Sequence, residues 1–335
     1  MFKRTGGTAF VTDGNTLTQS KSILEQLCLG VRFFDIRPVI GNGGKYLTGH
    51  YSGMQEILFW KGRLGADGAS IEEVVSDINA FLSANPDEII FLELSHAYNT
   101  DSGYGDFTAK EWSGLFTILA NIKKLCKSTE LSGSLLEYTF EAIKKSGNVI
   151  AFVTSDLPLE PPNYIFPKNA LALSGSYADS DNLDSMRNDQ IKKLNQANSK
   201  TGTLFQTSWT LTLQGAGLVF SKIRDLADKA NERLLSWLLP ETTSRVPNVV
   251  YLDNIKDTVP LDTVVYINAK KKTDAMDTSD EENSTHYVKE IAFVVASTVN
   301  EARERLDANF MLHDAAVAQH GHALDTHWHP LQFPS

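Results

Sequence analysis

Short apolar runs alternate with amphipathic helical stripes along most of this chain, and the alternation restricts its fold more than any other feature. Residues 88–94 and 148–154 are nearly continuous apolar runs, the form expected of strands in a parallel sheet covered on both faces. Before the first of these runs, apolar side chains recur at helical spacing over residues 71–82. No change of composition interrupts the pattern before residue 270. The sequence therefore predicts an α/β fold of the βα-barrel kind, whose typical size is ~250 residues.

Charge and cysteine content restrict the partners of the chain. Lys and Arg total 31 against 41 Asp and Glu, which gives a net charge of −10. That balance argues against nucleic acid and against electrostatic docking on an anionic membrane, so a lipid would be met through apolar contacts. The two cysteines, Cys28 and Cys126, imply no disulfide framework.

The sequence contains no targeting pattern that would indicate a cellular compartment. No apolar run reaches the ~18 residues that span a bilayer. The N-terminal charges are not followed by the apolar region of a signal peptide. We therefore predict no transmembrane segment and no signal peptide within the chain, and a signal upstream of residue 1 would be compatible with this.

Three segments of different character follow a predicted barrel of residues 1–269. Residues 270–286 carry three lysines and then a cluster of acids, which predicts a charged flexible loop. Residues 287–312 show helical spacing and predict one long amphipathic helix that packs on the barrel. Residues 313–335 contain five histidines, a composition that can bind zinc. Without a nearby cysteine or a carboxylate in a ligand pattern, we predict no metal site there.

Three polar residues stand at the ends of two neighbouring strand-type runs. In a strand over residues 31–36, Asp35 and Arg37 point to one face, and the run at 46–48 leads to His50. One interpretation is functional: a proton donor, its orienting carboxylate and a cation suited to phosphate. The other is structural, with an ion pair and a surface histidine. These residues alone leave both interpretations open.

Several motifs occur in a specific order around these residues. They are Gln-Ser-Lys-Ser-Ile at 19–23, Gly-Val-Arg-Phe-Phe-Asp-Ile-Arg at 30–37, Gly-His at 49–50, Asn-Pro-Asp-Glu-Ile-Ile and Leu-Glu-Leu-Ser within 85–95, and Asn-Val-Val-Tyr-Leu-Asp at 248–253. Together they resemble the catalytic X region of phosphatidylinositol-specific phospholipase C-like phosphodiesterases, over about residues 15 to 268.

The resemblance implies a distorted TIM barrel with its active site at the C-terminal strand ends. It also implies two acid–base steps: one histidine deprotonates the inositol 2-hydroxyl, and a second protonates the departing diacylglycerol oxygen. By position, His50 matches the second histidine, the general acid, and Asp35 matches its orienting carboxylate. Arg37 matches the phosphate-binding arginine of metal-independent members. Asp253 matches the acid that orients the first histidine, although it would also suit the N-cap of a helix before Ile255.

Calcium-dependent relatives carry acids where this chain has Arg37 and Ser95. A site with a fixed positive charge in place of carboxylates should bind Ca²⁺ poorly, so we predict metal independence and no cofactor. His96, Tyr177 and Trp209 are candidate walls of the substrate pocket. Each of these three would equally suit a packed or surface position.

The first histidine of the family pattern is absent. It belongs to a His-Asp pair on the first strand, yet no histidine precedes His50. The expectation is that the chain begins just after that pair, so that the barrel is incomplete at its first strand. His313 and Asp314 repeat the pair in the tail, but they fall in a predicted helix and are not accepted as a substitute.

The sequence thus predicts a phosphoric diester hydrolase that cleaves a phosphoinositide or a soluble (glycero)phosphoinositol-like diester. A monomer with transient membrane contact is expected. The alternative is a catalytically impaired barrel that binds phosphoinositol-like ligands or a protein partner. A glycerophosphodiester phosphodiesterase ranks third, because its His-Arg-Gly and Glu-x-Asp motifs are not found near the N-terminus.

Overall fold

The computed structural model describes residues 12–57, 60–167, 169–197, 203–214, 222–241, 246–276 and 293–297. Its strands are β1 Phe33–Ile36, β2 Pro38–Gly41, β3 Lys45–Ile57, β4 Trp60–Ser70, β5 Ile90–Leu94, β6 Tyr98–Asn99, β7 Gly105–Asp106, β8 Val149–Val153, β9 Ile165–Phe166, β10 Leu173–Ser174, β11 Leu204–Ser208, β12 Val249–Leu252 and β13 Phe293–Ser297. Its α-helices are α1 Asp13–Thr16, α2 Ile23–Cys28, α3 Ile71–Ala84, α4 Ala109–Leu119, α5 Phe140–Ser146, α6 Leu183–Gln196, α7 Ile223–Leu238 and α8 Val259–Met276. Short 3₁₀ helices cover Thr100–Ser102, Leu135–Glu137 and Leu239–Glu241.

Eight parallel strands form the main sheet, in the spatial order β10–β11–β12–β13–β1–β5–β8–β9. The residues of β1 and β8 are all buried, as a parallel sheet covered on both faces requires. Within the described ranges no pairing joins β9 to β10, so the ladder of strands is open. The predicted α/β fold is confirmed, with a sheet of the βα-barrel type that does not close.

Strand β13 lies between β12 and β1 and is parallel to both. The predicted helix over residues 287–312 is therefore wrong at Phe293–Ser297. The run Phe-Val-Val-Ala-Ser is short, apolar and rich in β-branched residues, so it fits a strand as well as a helical stripe. Strands on both sides complete its backbone hydrogen bonds and decide in favour of the strand. The rest of that predicted helix lies outside the described residues.

The position of β13 affects the prediction that the barrel is incomplete at its first strand. Val295 is in register with Phe33 of β1 on one side and with Tyr251 of β12 on the other. The C-terminal part of the chain thus supplies a strand between the last and first of the preceding barrel-type strands. The ladder of strands is therefore continuous from β12 through β13 to β1.

Helix α8 corrects the predicted charged loop. It continues to Met276 and so includes the first part of residues 270–286. Lysine and alanine are good helix formers, and a charged stretch is compatible with a solvated helix once a preceding helix has begun. Residues 277–286 and the histidine-rich tail at 313–335 lie outside the described residues.

A second, five-stranded sheet has the order β4–β3–β2–β6–β7. A single residue, Arg37, separates its strand β2 from the end of β1. The hairpin of β3 and β4 is anchored near its base, where the Tyr51 hydroxyl donates a 2.6 Å hydrogen bond to the buried Asp67. Because His50 lies on β3 beside this anchor, the second sheet brings it to the carboxyl end of β1.

Capping and aromatic packing fix the frame around the main sheet. Three helices begin with capping boxes, at Ser22 and Glu25, Ser70 and Glu73, and Thr108 and Glu111. In the core, Phe33 stacks on Phe91 with ring centroids 5.8 Å apart and meets Phe152 edge to face at 5.7 Å. No helix in the described part of the chain is long and apolar enough to cross a membrane.

Candidate active site

Asp35 lies at the end of β1 and is the centre of a buried polar cluster. Its Oδ2 accepts from Arg37 Nε at 2.9 Å and from the Tyr251 hydroxyl at 3.0 Å. Its Oδ1 accepts from Ser95 Oγ at 2.6 Å. Burial disfavours the ionised carboxyl, but Arg37 and these hydrogen bonds outweigh burial and hold its pKa below the usual value. Asp35 is therefore a buried carboxylate with three donors.

Arg37 supplies a fixed positive charge beside this carboxylate. Burial opposes its charge, but Asp35 outweighs burial and raises the pKa of the guanidinium further above its already high value. Tyr251 and Asp253 contribute in the same direction. Its Nη2 lies 3.5 Å from the Tyr251 hydroxyl. Such a guanidinium, held on one edge by Asp35, is suited to bind phosphate oxygens.

His50 is half-buried, and Thr16 orients its ring. Nδ1 lies 3.1 Å from the carbonyl oxygen of Thr16. Since a carbonyl only accepts, Nδ1 carries the proton of the neutral ring. Burial, followed by the charge of Arg37, lowers the pKa of His50 to about 4, although Asp35 acts in the opposite direction. The structure brings His50 into the Asp35–Arg37 cluster, with a backbone carbonyl in the orienting position that the resemblance assigns to Asp35.

His96 follows Ser95 at the end of β5 and adopts a left-handed backbone, with φ of 48°. Its Nδ1 lies 3.0 Å from Ser95 Oγ. Because Ser95 donates its only proton to Asp35, His96 must be the donor in this contact. Partial burial and then Arg37 lower the pKa of His96, while Asp35 raises it. A chain of hydrogen bonds thus runs from His96 through Ser95 to Asp35.

Glu93 is a site residue that the sequence motifs contain but do not single out. The register of β1 and β5 places it beside Asp35. Burial, and then the charge of Asp35, raise its pKa to about 8, against weaker opposing effects of Thr154 and Arg37. Glu93 is therefore protonated at neutral pH. An acid in an otherwise apolar strand is the sequence signal that could have identified it.

Asp253 lies just after β12, where it adds negative charge to the surroundings of Arg37 and Tyr251. The amide of Asn231 donates to its carbonyl oxygen at 2.8 Å. The alternative as a helix N-cap is not supported, because α8 begins only at Val259. Gln19 secures this turn by donating to the Leu252 carbonyl and accepting from the backbone N–H of residue 255.

The other two predicted pocket walls, Trp209 and Tyr177, follow strands at the same edge of the main sheet but differ in burial. Trp209 is fully buried, and its indole N–H donates to the carbonyl of Ala230 at 2.9 Å, so it is a core residue. Tyr177 follows β10 with its side chain 61% exposed, and its carbonyl accepts from Lys193 of α6. Of the three predicted walls, His96 is the one whose side chain is hydrogen-bonded to the Asp35 cluster, through Ser95.

The polar groups around Asp35 lie where parallel strands of the main sheet end, and His50 lies on the hairpin beside that edge. The arrangement combines one half-buried cation, two imidazoles with lowered pKa values and one carboxyl with a raised pKa. It is equipped to bind an anion and to transfer protons. No group of three or more His, Cys, Asp or Glu in the described ranges is arranged to hold a metal ion.

Sequence and fold agree on what the chain resembles: it is similar to proteins with a phosphatidylinositol-specific phospholipase C X domain, and the predicted resemblance is confirmed. It is 25% identical to PI-PLC X domain-containing protein 3 of Mus musculus over 259 residues, which cover 75% of this chain and 73% of that protein. The human protein of the same name is 23% identical over 257 residues. PI-PLC X domain-containing protein 2 of Mus musculus is 34% identical over 89 residues, 27% of this chain and 23% of that protein. No family model matches.

Solved structures agree on the fold. A pentafluoro-Phe-containing phosphatidylinositol-specific phospholipase C from Staphylococcus aureus superposes with a TM-score of 0.51 and 16% identity, over 75% of this chain and 85% of that one. A double mutant of the same enzyme gives a TM-score of 0.51 with 17% identity, over 74% and 83% of the two chains. These neighbours are TIM-barrel enzymes, which confirms the fold class at this distance.

Proposed function

We propose that the chain is a metal-independent phosphodiesterase that cleaves a phosphoinositide or a soluble (glycero)phosphoinositol-like diester by acid–base catalysis. The observation that carries this proposal is the ion pair between half-buried Arg37 and buried Asp35, beside His50 at the carboxyl end of the main sheet. The solved neighbours named as phosphatidylinositol-specific phospholipases C support the substrate class.

Each group has a task in this reaction. Arg37 binds the phosphate oxygens and offsets the charge that develops on them, while Asp35 and Tyr251 hold the guanidinium in place. His50 transfers protons. The attacking inositol 2-hydroxyl forms a cyclic phosphate as the bond to the departing alcohol breaks. Because Arg37 occupies the position of a calcium ligand in metal-dependent relatives, the reaction requires no metal.

Membrane contact and oligomeric state belong to the same proposal. One solved structure of the Staphylococcus aureus enzyme is named for the modulation of its membrane binding. We extend this to transient contact of the present chain, as a monomer, with a membrane that carries its substrate. The net charge of −10 makes apolar rather than electrostatic contact the physical basis.

A second candidate is a barrel that binds phosphoinositol-like ligands, or a protein partner, without turnover. The observation in its favour is that no histidine precedes His50 in the sequence, so the first histidine of the family pattern has no counterpart there. Arg37 and Asp35 would bind a headgroup equally well in either case.

One experiment separates the two candidates. The full chain is incubated in EDTA with phosphatidylinositol vesicles and, separately, with glycerophosphoinositol, and ³¹P NMR follows the appearance of inositol cyclic phosphate. Turnover of either substrate supports the phosphodiesterase. Calorimetric binding of inositol phosphate without turnover supports the binding protein. Turnover that requires added calcium contradicts metal independence.

A further inference from the structure

We propose that the hairpin of β3 and β4 is the membrane-contact element of this chain, and that its end enters the apolar layer of an electrically neutral lipid surface. This role rests on the proposed function, in which a lipid substrate is met by transient apolar contact. The net charge of −10 disfavours attraction to anionic lipids, so a zwitterionic surface is the partner. Such a surface binds a protein through apolar side chains.

The hairpin extends beyond the rest of the second sheet. Strand β2 pairs with residues 45–48 of β3. After Gly49, no strand other than β4 pairs with β3 in the described ranges, and this pairing continues to Ile57 opposite Trp60. Residues 50–57 of β3 therefore belong to a two-stranded extension of up to ~26 Å, at ~3.3 Å per residue.

Apolar residues are concentrated at the end of this extension. The sequence over residues 57–60 is Ile-Leu-Phe-Trp, and Ile57 and Trp60 form the last pair of the two strands. Tryptophan, phenylalanine and leucine favour the boundary between lipid headgroups and acyl chains. Before this run, Glu56 is in register with Lys61, so the charges at these two positions cancel. An apolar end with a neutral flank fits a zwitterionic surface.

The edge of the second sheet favours lipid over another protein strand. In the order β4–β3–β2–β6–β7, β4 is an edge strand of the described part of the sheet. Lys61, Gly62 and Arg63 lie on this edge, and charged and glycine residues oppose the pairing of a further strand. A hairpin of two strands is at best marginally stable in water, so a surface that buries its apolar end stabilises it.

The base of the hairpin is fixed beside the candidate site. On β3, the Tyr51 hydroxyl donates to Asp67, and its ring centroid lies 5.8 Å from that of Tyr104. On β4, the guanidinium carbon of Arg63 lies 3.9 Å from the centroid of the Tyr98 ring, and Tyr98 follows the end of β5. Both strands of the hairpin are thus attached to the loop after β5, at the edge of the main sheet where the site lies.

His50 lies between two irregularities in the pairing of the hairpin. The register of β3 and β4 shifts between Leu47 and Gly49 and again between Tyr51 and Met54. Bulges of this kind bend a strand, increase its twist and occur at the rims of barrels and next to active sites. One element therefore carries a residue of the candidate site and, beyond it, the apolar end. Insertion of that end brings the site to the lipid surface.

The test measures vesicle binding with a matched pair of double variants. Ile57→Ser with Trp60→Ser removes the last apolar pair of the hairpin. Val265→Ser with Tyr266→Ser removes two exposed apolar side chains of α8 and is the control. Sedimentation with phosphatidylcholine vesicles that lack phosphatidylinositol gives the partition coefficient. We expect it to fall ~10-fold or more in the hairpin variant and to stay within about two-fold of wild type in the control.

Two further measurements identify the kind of contact. Raising the salt concentration from ~0.1 M to ~1 M shortens the screening length from ~10 Å to ~3 Å and should leave wild-type binding within about two-fold, because the contact is apolar. In the hairpin variant, kcat/KM should fall ~10-fold or more on phosphatidylinositol vesicles and stay within about two-fold of wild type on glycerophosphoinositol, which needs no surface. Urea unfolding of each variant confirms that it is folded.

Four results would overturn the assignment. They are wild-type chain that does not bind the vesicles, unchanged partition of a folded hairpin variant, an equal loss in the α8 control, and binding that high salt abolishes. A dimer of wild type that the hairpin substitutions dissociate would show that the apolar end meets a second copy instead. Vesicle binding that depends on the hairpin, with no hydrolysis of either substrate, would support the lipid contact and remove the proposed phosphodiesterase function.

Discussion

The hydroxyl of Tyr251 donates a 3.0 Å hydrogen bond to Oδ2 of Asp35, although strand β13 lies between the two strands that carry these residues. Two inter-strand spacings of ~4.8 Å separate the backbones, and the length of the phenol side chain spans them. Burial, followed by the charge of Asp35, raises the pKa of Tyr251 well above its usual value, so it remains a donor. The catalytic-type carboxylate is thus tied to a strand that is not its neighbour.

Tyr251→Phe removes this donor and keeps the aromatic ring. We expect a loss of ~1.5–3 kcal/mol in the free energy of unfolding, because the hydrogen bond is made to a buried charge. Urea denaturation at pH 7 measures it. Tyr138→Phe is the matched control, because its hydroxyl donates to the Ser132 carbonyl at an exposed position and should cost less than ~1 kcal/mol. Equal costs for the two variants would contradict the importance of the Asp35 contact.

Arg37→Lys keeps the charge and removes the planar fork. Lysine cannot reproduce the Nε contact to Asp35 together with a forked contact to phosphate, so kcat/KM in EDTA should fall by ~10²-fold or more. Arg187→Lys, at the ion pair between α6 and Glu241, is the matched control and should remain near wild type. The contradicting outcome is that added calcium raises the activity of Arg37→Lys and leaves that of wild type unchanged. A metal ion would then be acting at the position assigned to Arg37.

Much of the fold was predictable because its signals are local. The strand that carries Asp35 and Arg37, and the delivery of His50 beside it, follow from a short β-type run and the turn after it. The sheet type follows from strands that are apolar on both faces. In each case the local sequence is sufficient to determine the secondary structure of the segment.

Other features depend on pairing across the chain, which no local pattern contains. Phe293–Ser297 reads as part of a helix until the parallel partners on both sides are known. Glu93 is a site residue because the register places it beside Asp35, and the link of Tyr251 to Asp35 crosses an intervening strand. Burial of an aromatic ring cannot be read from its neighbours in sequence, so the sequence leaves Trp209 equally suited to a pocket wall and to the core.

Strand β13 makes a prediction of its own. Val295 lies in register with both β1 and β12, so Val295→Pro interrupts the ladder in the middle of the sheet. We expect a loss of ~3 kcal/mol or more in stability, measured by thermal or urea unfolding, together with loss of turnover. Val295→Thr keeps the backbone N–H and a β-branched side chain, and serves as the control. A proline variant as stable as the threonine variant would show that β13 does not hold β1 and β12 together.

The raised pKa of Glu93 predicts how stability changes with pH. An unfolded glutamate loses its proton near pH 4.5, whereas the folded protein keeps it until about pH 8. Between these values the folded state binds more protons, so this residue makes stability fall as pH rises, by at most ~1.4 kcal/mol per pH unit. His50 acts in the opposite direction between pH 4 and 6.5, because its folded pKa is lowered. In wild type the effects of Glu93 and His50 on stability therefore oppose each other below about pH 6.5.

Glu93→Gln isolates the first effect, because the contribution of His50 is common to variant and wild type and cancels in their difference. The glutamine is neutral at every pH, so the two proteins should be similarly stable near pH 5, and the variant should gain on wild type steadily up to pH 8. Urea unfolding at half-unit intervals measures the difference. Glu137→Gln, at an exposed glutamate of the 3₁₀ helix Leu135–Glu137, controls for the general effect of removing one acid. Parallel stability curves for wild type and Glu93→Gln would mean that Glu93 is already ionised beside Asp35 at pH 5, and that the carboxyl group of this site carries no proton at neutral pH.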